Sequence, residues 1–214
     1  MQSRLVPYLA ALGLWLTATS LVDGAQSVNL ATGLDGSNNL IITGGTADSH
    51  WSVDAQAGGV QATQVVTPAS SDWYSLWPAN GPGSDWIARS AATIGNGPAP
   101  YSFYRTFDLS GYDLSTVTIA GSWAIDDEGT LSLNGYQLGF HEWDEWDHGL
   151  ETFSVPTGSP YLRQGVNTLT ITETRNDNFY EGVRLEGTIS GSVPEPASAA
   201  LLMLNAVVFI RRRR

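Results

Sequence analysis

Cysteine and lysine are both missing from this 214-residue chain. Without cysteine there is no disulfide to brace a domain and no thiol for catalysis or metal binding, so packing or a bound ion must stabilise the fold. Without lysine, positive charge comes from arginine alone. Arg4 and Arg211 to Arg214 stand at the two ends, which leaves five arginines against nineteen acids between Gln26 and Ser192. A stretch that acidic suits neither nucleic acid nor anionic lipid, whose phosphates need clustered cations. Neutral glycans, divalent cations and basic peptides stay open as partners. Internal repeats, a Gly-x-Ser-x-Gly elbow and a convincing helical periodicity in the body are missing too.

What is present begins with two targeting-like ends. Arg4 precedes an almost wholly apolar run from Leu5 to Val22, and the first acid is Asp23. That is the pattern of a secretory leader over 1–25, with cleavage expected between Ala18 and Ala25. The alternative is a retained anchor, since the run is only just long enough to span a bilayer. At the other end, over 193–214, Pro194, Glu195 and Pro196 precede an apolar run from Ala197 to Ile210, and Arg211, Arg212, Arg213 and Arg214 close the chain. As a helix that run reaches about 21 Å at ~1.5 Å per residue, short of a ~30 Å hydrocarbon core, so the arginines must snorkel to the cytoplasmic interface. Asn205 in its middle weakens insertion, which fits transient rather than permanent anchoring.

The order Pro-Glu-Pro, apolar helix, basic cluster resembles the PEP-CTERM sorting signal of Gram-negative bacteria that make exopolysaccharide. The resemblance implies an exosortase-type membrane protease as partner, cleavage near Pro194-Glu195-Pro196, and a mature protein at the cell envelope or outside it.

Between the ends, 26–192 is one domain's worth of chain. Val117, Ile119, Gly121, Trp123 and Ile125 alternate with Thr118, Ala120, Ser122 and Ala124. The pattern recurs at Leu169 and Ile171, and again at Val183, Leu185 and Ile189. Period two with one polar face predicts half-buried antiparallel strands. Further strands are expected at Val28–Ala31, Leu40–Thr43, Trp51–Asp54, Thr63–Thr67, Tyr101–Leu109, Thr130–Leu138 and Thr152–Val155, with Asn134-Gly135 offering a tight turn or bulge. The stretch from Pro68 to Pro100 reads as a mostly irregular cover over one end. These elements predict an all-β antiparallel β-sandwich. The residues Tyr101 to Leu109, Trp123 to Asp127, Leu133-Asn134-Gly135, Gly139 and Gly165-Val-Asn167-Thr-Leu169 resemble a galactose-binding-like jelly roll, which implies a ligand-side loop after Leu-Asn-Gly.

Candidate site residues follow from that expectation. Exposed indoles stack on the apolar faces of sugar rings, and Trp73, Tyr74, Trp77 and Trp86 fall in the irregular stretch, while Trp143 and Trp146 fall in the segment His141 to His148. The ligand-binding candidates are therefore Trp143, Trp146, His141, Trp73 and Trp77, with Phe140 to Gly149 as the expected rim loop. The competing reading is burial: Asp85-Trp86-Ile87 looks like a strand start, and Trp123 is core. Asp144 and Asp147, and Asp126 and Asp127 in a second acidic turn, offer hard oxygens to a structural calcium ion. A zinc-protease motif fails, because Glu145 stands where the second histidine would be needed.

Together these readings predict an exported, non-catalytic, carbohydrate-binding-like protein that engages exopolysaccharide. A purely structural surface protein is the first alternative, and it would bury the loop tryptophans. A small glycan-active hydrolase is the second, and it needs paired carboxylates in a cleft.

Overall fold

A computed structural model of the chain describes residues 24–54, 60–70, 77–91, 101–142, 149–175 and 181–194. Eleven strands run through them: β1 (Gly24–Asn29), β2 (Ala47–Asp54), β3 (Val60–Val65), β4 (Ile87–Ala88), β5 (Ser102–Asp108), β6 (Thr118–Asp126), β7 (Glu128–Leu133), β8 (Tyr136–His141), β9 (Glu151–Val155), β10 (Val166–Arg175) and β11 (Gly182–Val193). Every pairing is antiparallel, and no helix occurs among the described residues. It follows that no helix among them is long and apolar enough to cross a membrane.

The strands follow the order β8-β7-β10-β5-β2-β3-β4-β11-β6-β9, with β1 added beside β11. Strands β8 and β9, at the two ends of this path, also approach each other, so the sheet nearly closes on itself as a barrel-like sandwich. Only full closure abolishes sheet edges, so this near closure shortens the exposed edge rather than removing it. The inward rows are those the alternation predicts: Trp123 on β6, Leu131 and Leu133 on β7, Leu169 and Ile171 on β10, and Leu185 and Ile189 on β11 are all completely buried. Each such side chain contributes about 1.5–3 kcal/mol relative to exposure, and together they replace the missing disulfides.

The connection between β6 and β7 is short, at Asp127, yet the two strands are not paired: β6 lies between β11 and β9, and β7 between β10 and β8. Asp127 thus carries the chain from one side of the sandwich to the other. By contrast β7 and β8 form a hairpin, closed by Asn134 at φ 52° and Gly135 at φ 87°. Two consecutive positive-φ residues make the type I′ turn whose twist matches the strands it joins. Asn134 also ties this turn to the start of β10: its side-chain amide donates to Tyr161 O at 2.7 Å and to Asn167 Oδ1 at 2.8 Å, and Asn167 is itself fully buried.

Two strand expectations are corrected. The run Leu40–Thr43 forms no strand, only a bridge between Leu40 and Leu34, and Ile42 is 91% exposed. Asp35 holds this segment as a tight loop by accepting the main-chain N–H groups of Ser37 and Asn39 at 2.8 and 2.9 Å. The expected Val28–Ala31 strand is instead β1, which starts earlier and ends at Asn29. There the Asn29 side chain accepts the Ala31 N–H at 2.9 Å and turns the chain into the core at Leu30.

Candidate functional site

Of the residues that the sequence nominates, Trp73, Tyr74, Trp143, Trp146, Asp144, Asp147, Glu195, Pro196 and Arg211 to Arg214 lie outside the described residues, as do 1–23. Pro194 is described and exposed. Three of the remaining candidates are placed differently from expectation.

Trp77 was expected as an exposed stacking surface, but it is only 8% exposed. It stacks on Trp86 with ring centroids 4.2 Å apart, and its indole N–H donates to Asp126 Oδ2 at 2.6 Å. These two indoles form a second apolar cluster with Val66, Ala88, Ala91 and Ala124. The physical reason is that Ala124 and Gly182 leave room for the rings: a Cβ at Gly182 would collide with the Trp77 ring. His141 belongs to β8 rather than to a rim loop, as does Phe140. Buried at 4% exposure, His141 lies edge-on to Trp123 at 6.1 Å, with Nδ1 3.3 Å from Glu151 Oε1. Asp126 ends β6 with its carboxylate engaged by Trp77, so a calcium ion there would compete with a hydrogen bond already made.

The structure brings other acids together at the same end of the sandwich. Along β10 the inward row runs Leu169, Ile171 and then Glu173, which is 1% exposed. Glu181 stands just before β11, whose row continues through Val183 and Leu185, and it is 2% exposed. Register places the two near Asp127: Gly182 pairs with Asp126, and Glu173 pairs with Gly129. Neither oxygen of the Glu173 carboxyl has a hydrogen-bond partner. Burial, and after it the charges of Glu181, Asp127 and Asp126, push this carboxyl up to about 10. The main-chain N–H of Tyr101 offsets a little of that without completing a hydrogen bond. At neutral pH Glu173 is therefore protonated in the native fold.

Tyr101 and Arg89 border this cluster. Burial first and Glu181 second hold the Tyr101 phenol above its ordinary range, while Arg89, whose guanidinium lies 5.8 Å from the ring centroid, acts the other way. Arg184, by contrast, serves the outer surface of β11. It donates to Ser84 Oγ at 2.8 Å, Ala79 O at 2.6 Å and Glu186 Oε1 at 2.6 Å, and so fastens the segment from Ala79 to Ser84 against the sheet. Asp85 beside it is pushed up to about 6 by burial, partly countered by Arg184.

Among the described residues no three His, Asp or Glu groups converge closely enough to enclose a metal ion. What the arrangement offers is a buried acidic layer capping the core, flanked by one phenol and by the Trp77–Asp126 pair. Sequence reasoning missed Glu173 and Glu181, although a signal was present: each occupies the next inward position of an otherwise apolar row.

No protein-family model matches the chain, and no characterised protein matches its sequence. Solved structures align with the chain only at low TM-scores and identities. An FMN-binding beta-glucuronidase from Facaelibacterium prausnitzii L2-6 is 17% identical at a TM-score of 0.39, over 78% of this chain and 23% of the enzyme. The Stig cyclase Fisc from Fischerella sp. TAU is 14% identical at 0.40, over 78% of this chain and 100% of the cyclase. The carbohydrate-binding module CBM36, in complex with calcium and xylotriose, is 12% identical at 0.28, over 46% of this chain and 92% of the module. The chain thus spans less than a quarter of the glucuronidase.

Proposed function

We propose that this chain is an exported cell-surface or extracellular-matrix protein, sorted through a PEP-CTERM signal, whose β-sandwich is a galactose-binding-like jelly roll that binds carbohydrate without catalysis. The observation that carries the sorting half is the order Pro194-Glu195-Pro196, apolar run, four arginines at the end of the chain. An exosortase-type protease removes that tail after transient membrane anchoring, and the mature protein engages the cell's exopolysaccharide. Support for the non-catalytic half is that Glu173, a carboxyl held neutral by its surroundings far above pH 7, is 1% exposed and is not presented to a glycosidic oxygen.

Two measurements test the proposal. Mass spectrometry of protein from the host should find a mature form lacking Arg211 to Arg214, and an intact tail on the extracellular form refutes the sorting step. A glycan-binding screen of the purified protein, with and without calcium, should show retention of at least one polysaccharide. The burial of Trp77 and Trp86 favours a second reading, a structural surface protein without a glycan ligand, and a blank screen on correctly folded protein selects it.

A further inference from the structure

We propose that Tyr136 and Tyr161, with Arg163 at their edge, form the platform on which this protein holds a neutral pyranose chain. The inference rests on the carbohydrate reading and gives it a place, at the end of the sandwich opposite the acid cap.

Tyr136 opens β8 directly after the Asn134-Gly135 turn, and it pairs with Leu133, which is completely buried. Its ring therefore starts on the inward face, but the sheet ends there and leaves it 50% exposed. Tyr161, in the connection between β9 and β10, packs on the main core and receives that ring. The centroids are 4.6 Å apart and the planes 20° from parallel, so Tyr161 covers one face of Tyr136.

The support under the pair is rigid. Asn134 donates to Tyr161 O at 2.7 Å and accepts the Thr168 N–H at 3.0 Å. The buried Asn167 accepts the Arg163 N–H at 3.0 Å and donates to Arg163 O and Gly165 O, both at 2.8 Å. Two asparagine side chains so hold the hairpin and the loop in one arrangement, and a surface ordered before binding loses little conformational entropy when it binds.

A second observation is a cation without an anion. Arg163 is exposed, and its guanidinium donates to Asn134 O at 3.3 Å, which sets it beside the tyrosines. Nineteen acids share the body with five arginines, yet among the described residues none pairs with Arg163. Arg105 and Arg184, by contrast, spend their donors on Asn29 O and on Ala79 O, Ser84 and Glu186. The remaining N–H groups of Arg163 are free to meet an outside acceptor.

A pyranose ring meets both features. Its axial C–H groups suit the electron-rich face of a tyrosine, and its hydroxyl oxygens accept from a guanidinium at the edge. The glycan is neutral, because one arginine does not offset so acidic a body towards a polyanion. The acid cap itself stays clear of the site: Glu173 lies four residues along β10 from Leu169, the partner of Leu133, or about 13 Å at ~3.3 Å per residue.

The test is affinity electrophoresis of the full-length protein in native gels that contain a mixed-linkage glucan, a galactomannan or an arabinoxylan. Polygalacturonate serves as the anionic comparison, and a gel without polysaccharide as the reference. At least one neutral polymer should retard the wild type. Its apparent dissociation constant should rise roughly tenfold in Y136A and in Y136L, which keeps apolar bulk without a flat face, and stay unchanged in Y136F. R163Q should also weaken retention, whereas I42A, which trims an exposed side chain on the loop before β2, should not. Circular dichroism establishes that each variant is folded, and if Y136A is not, Y136L and R163Q decide. Retention by a neutral polymer that Y136A and Y136L leave intact overturns the platform and leaves the carbohydrate reading standing. Retention by polygalacturonate alone overturns the proposal of a neutral ligand, and no retention in any gel overturns both the platform and the carbohydrate reading.

Discussion

Replacing Glu173 by Gln should make the cation-free protein more stable at neutral pH, by roughly 3 kcal/mol, although the change removes an acid from its interior. The sign follows from where the proton sits in each state. The native carboxyl is pushed up to about 10, while in the unfolded chain it returns to 4.5. Below 4.5 both states are protonated, and stability carries no penalty from this group. Above it the unfolded chain ionises while the native chain holds its proton, so stability falls by about 1.4 kcal/mol per pH unit until the native group titrates. From 4.5 to pH 7 the accumulated loss is roughly 3 kcal/mol, and by pH 10 it reaches about 7 kcal/mol, comparable with the whole stability of an ordinary domain. Gln keeps the shape and cannot ionise in either state, so it abolishes this slope. Its amide is as poorly partnered as the protonated acid it replaces, so the desolvation costs largely cancel.

The assay is urea denaturation of both proteins at pH 4.5, 7 and 9 in the presence of chelator. The wild type should lose stability steadily as pH rises, and E173Q should lose much less. Asp85, pushed up to about 6, adds a smaller slope of the same sign that ends near pH 6, so the wild type should be most stable on the acid side of neutrality. Asp35, Asp108 and Asp113, each held below the ordinary range chiefly by hydrogen bonds from Asn39 and Ser37, from Ser110, and from Ser115, set the lower limit as they protonate. Parallel loss in wild type and E173Q between pH 5 and 9 would refute the reasoning, because it would mean that Glu173 is already ionised in the native state.

Three further outcomes are expected. Asp48, 3% exposed, accepts four main-chain N–H groups, from Gly33, Leu34, His50 and Trp51, so Asp48→Asn should lose about 2–3 kcal/mol in urea denaturation as one acceptor becomes a donor. Arg184→Ala should cost about 3 kcal/mol, by leaving Ala79 O and Ser84 without their donor, and should raise protease cleavage between Ala79 and Ser84. Gly182→Ala should cost about 1–3 kcal/mol and shift tryptophan emission to the red, since the added Cβ displaces the Trp77 ring into water.

The alternating rows were legible because period two reports which face of a strand is buried, and Trp123, Leu169, Ile171, Val183 and Leu185 lie where that rule puts them. Asn134-Gly135 was legible as a turn because consecutive positive-φ residues are rarely anything else. Periodicity says nothing about partners, however. That β6 and β7 are joined by one residue and still belong to opposite sides of the sandwich depends on long-range pairing of β6 with β11 and of β7 with β10. The fate of Trp77 was hidden for a similar reason: it depends on Gly182, more than a hundred residues away, providing space beneath the ring. Composition drew attention to the densest acidic loop, whereas the strongly raised Glu173 is the one acid in a threonine-rich strand, and only its inward parity marks it.

That parity also explains how a chain without cysteine or lysine can carry a buried acid whose native pKa weakens it. At neutral pH Glu173 costs the cation-free fold roughly 3 kcal/mol, a large share of ordinary domain stability, so the position is sustainable only if the rest of the core is strong or the working environment offsets the loss. Raising the pH from 5 to 8 should therefore lower the melting temperature of the wild type far more than that of E173Q, because only the wild type must keep a proton on this carboxyl that its unfolded chain gives up. A fall of equal size in both proteins would mean that groups other than this carboxyl set the slope.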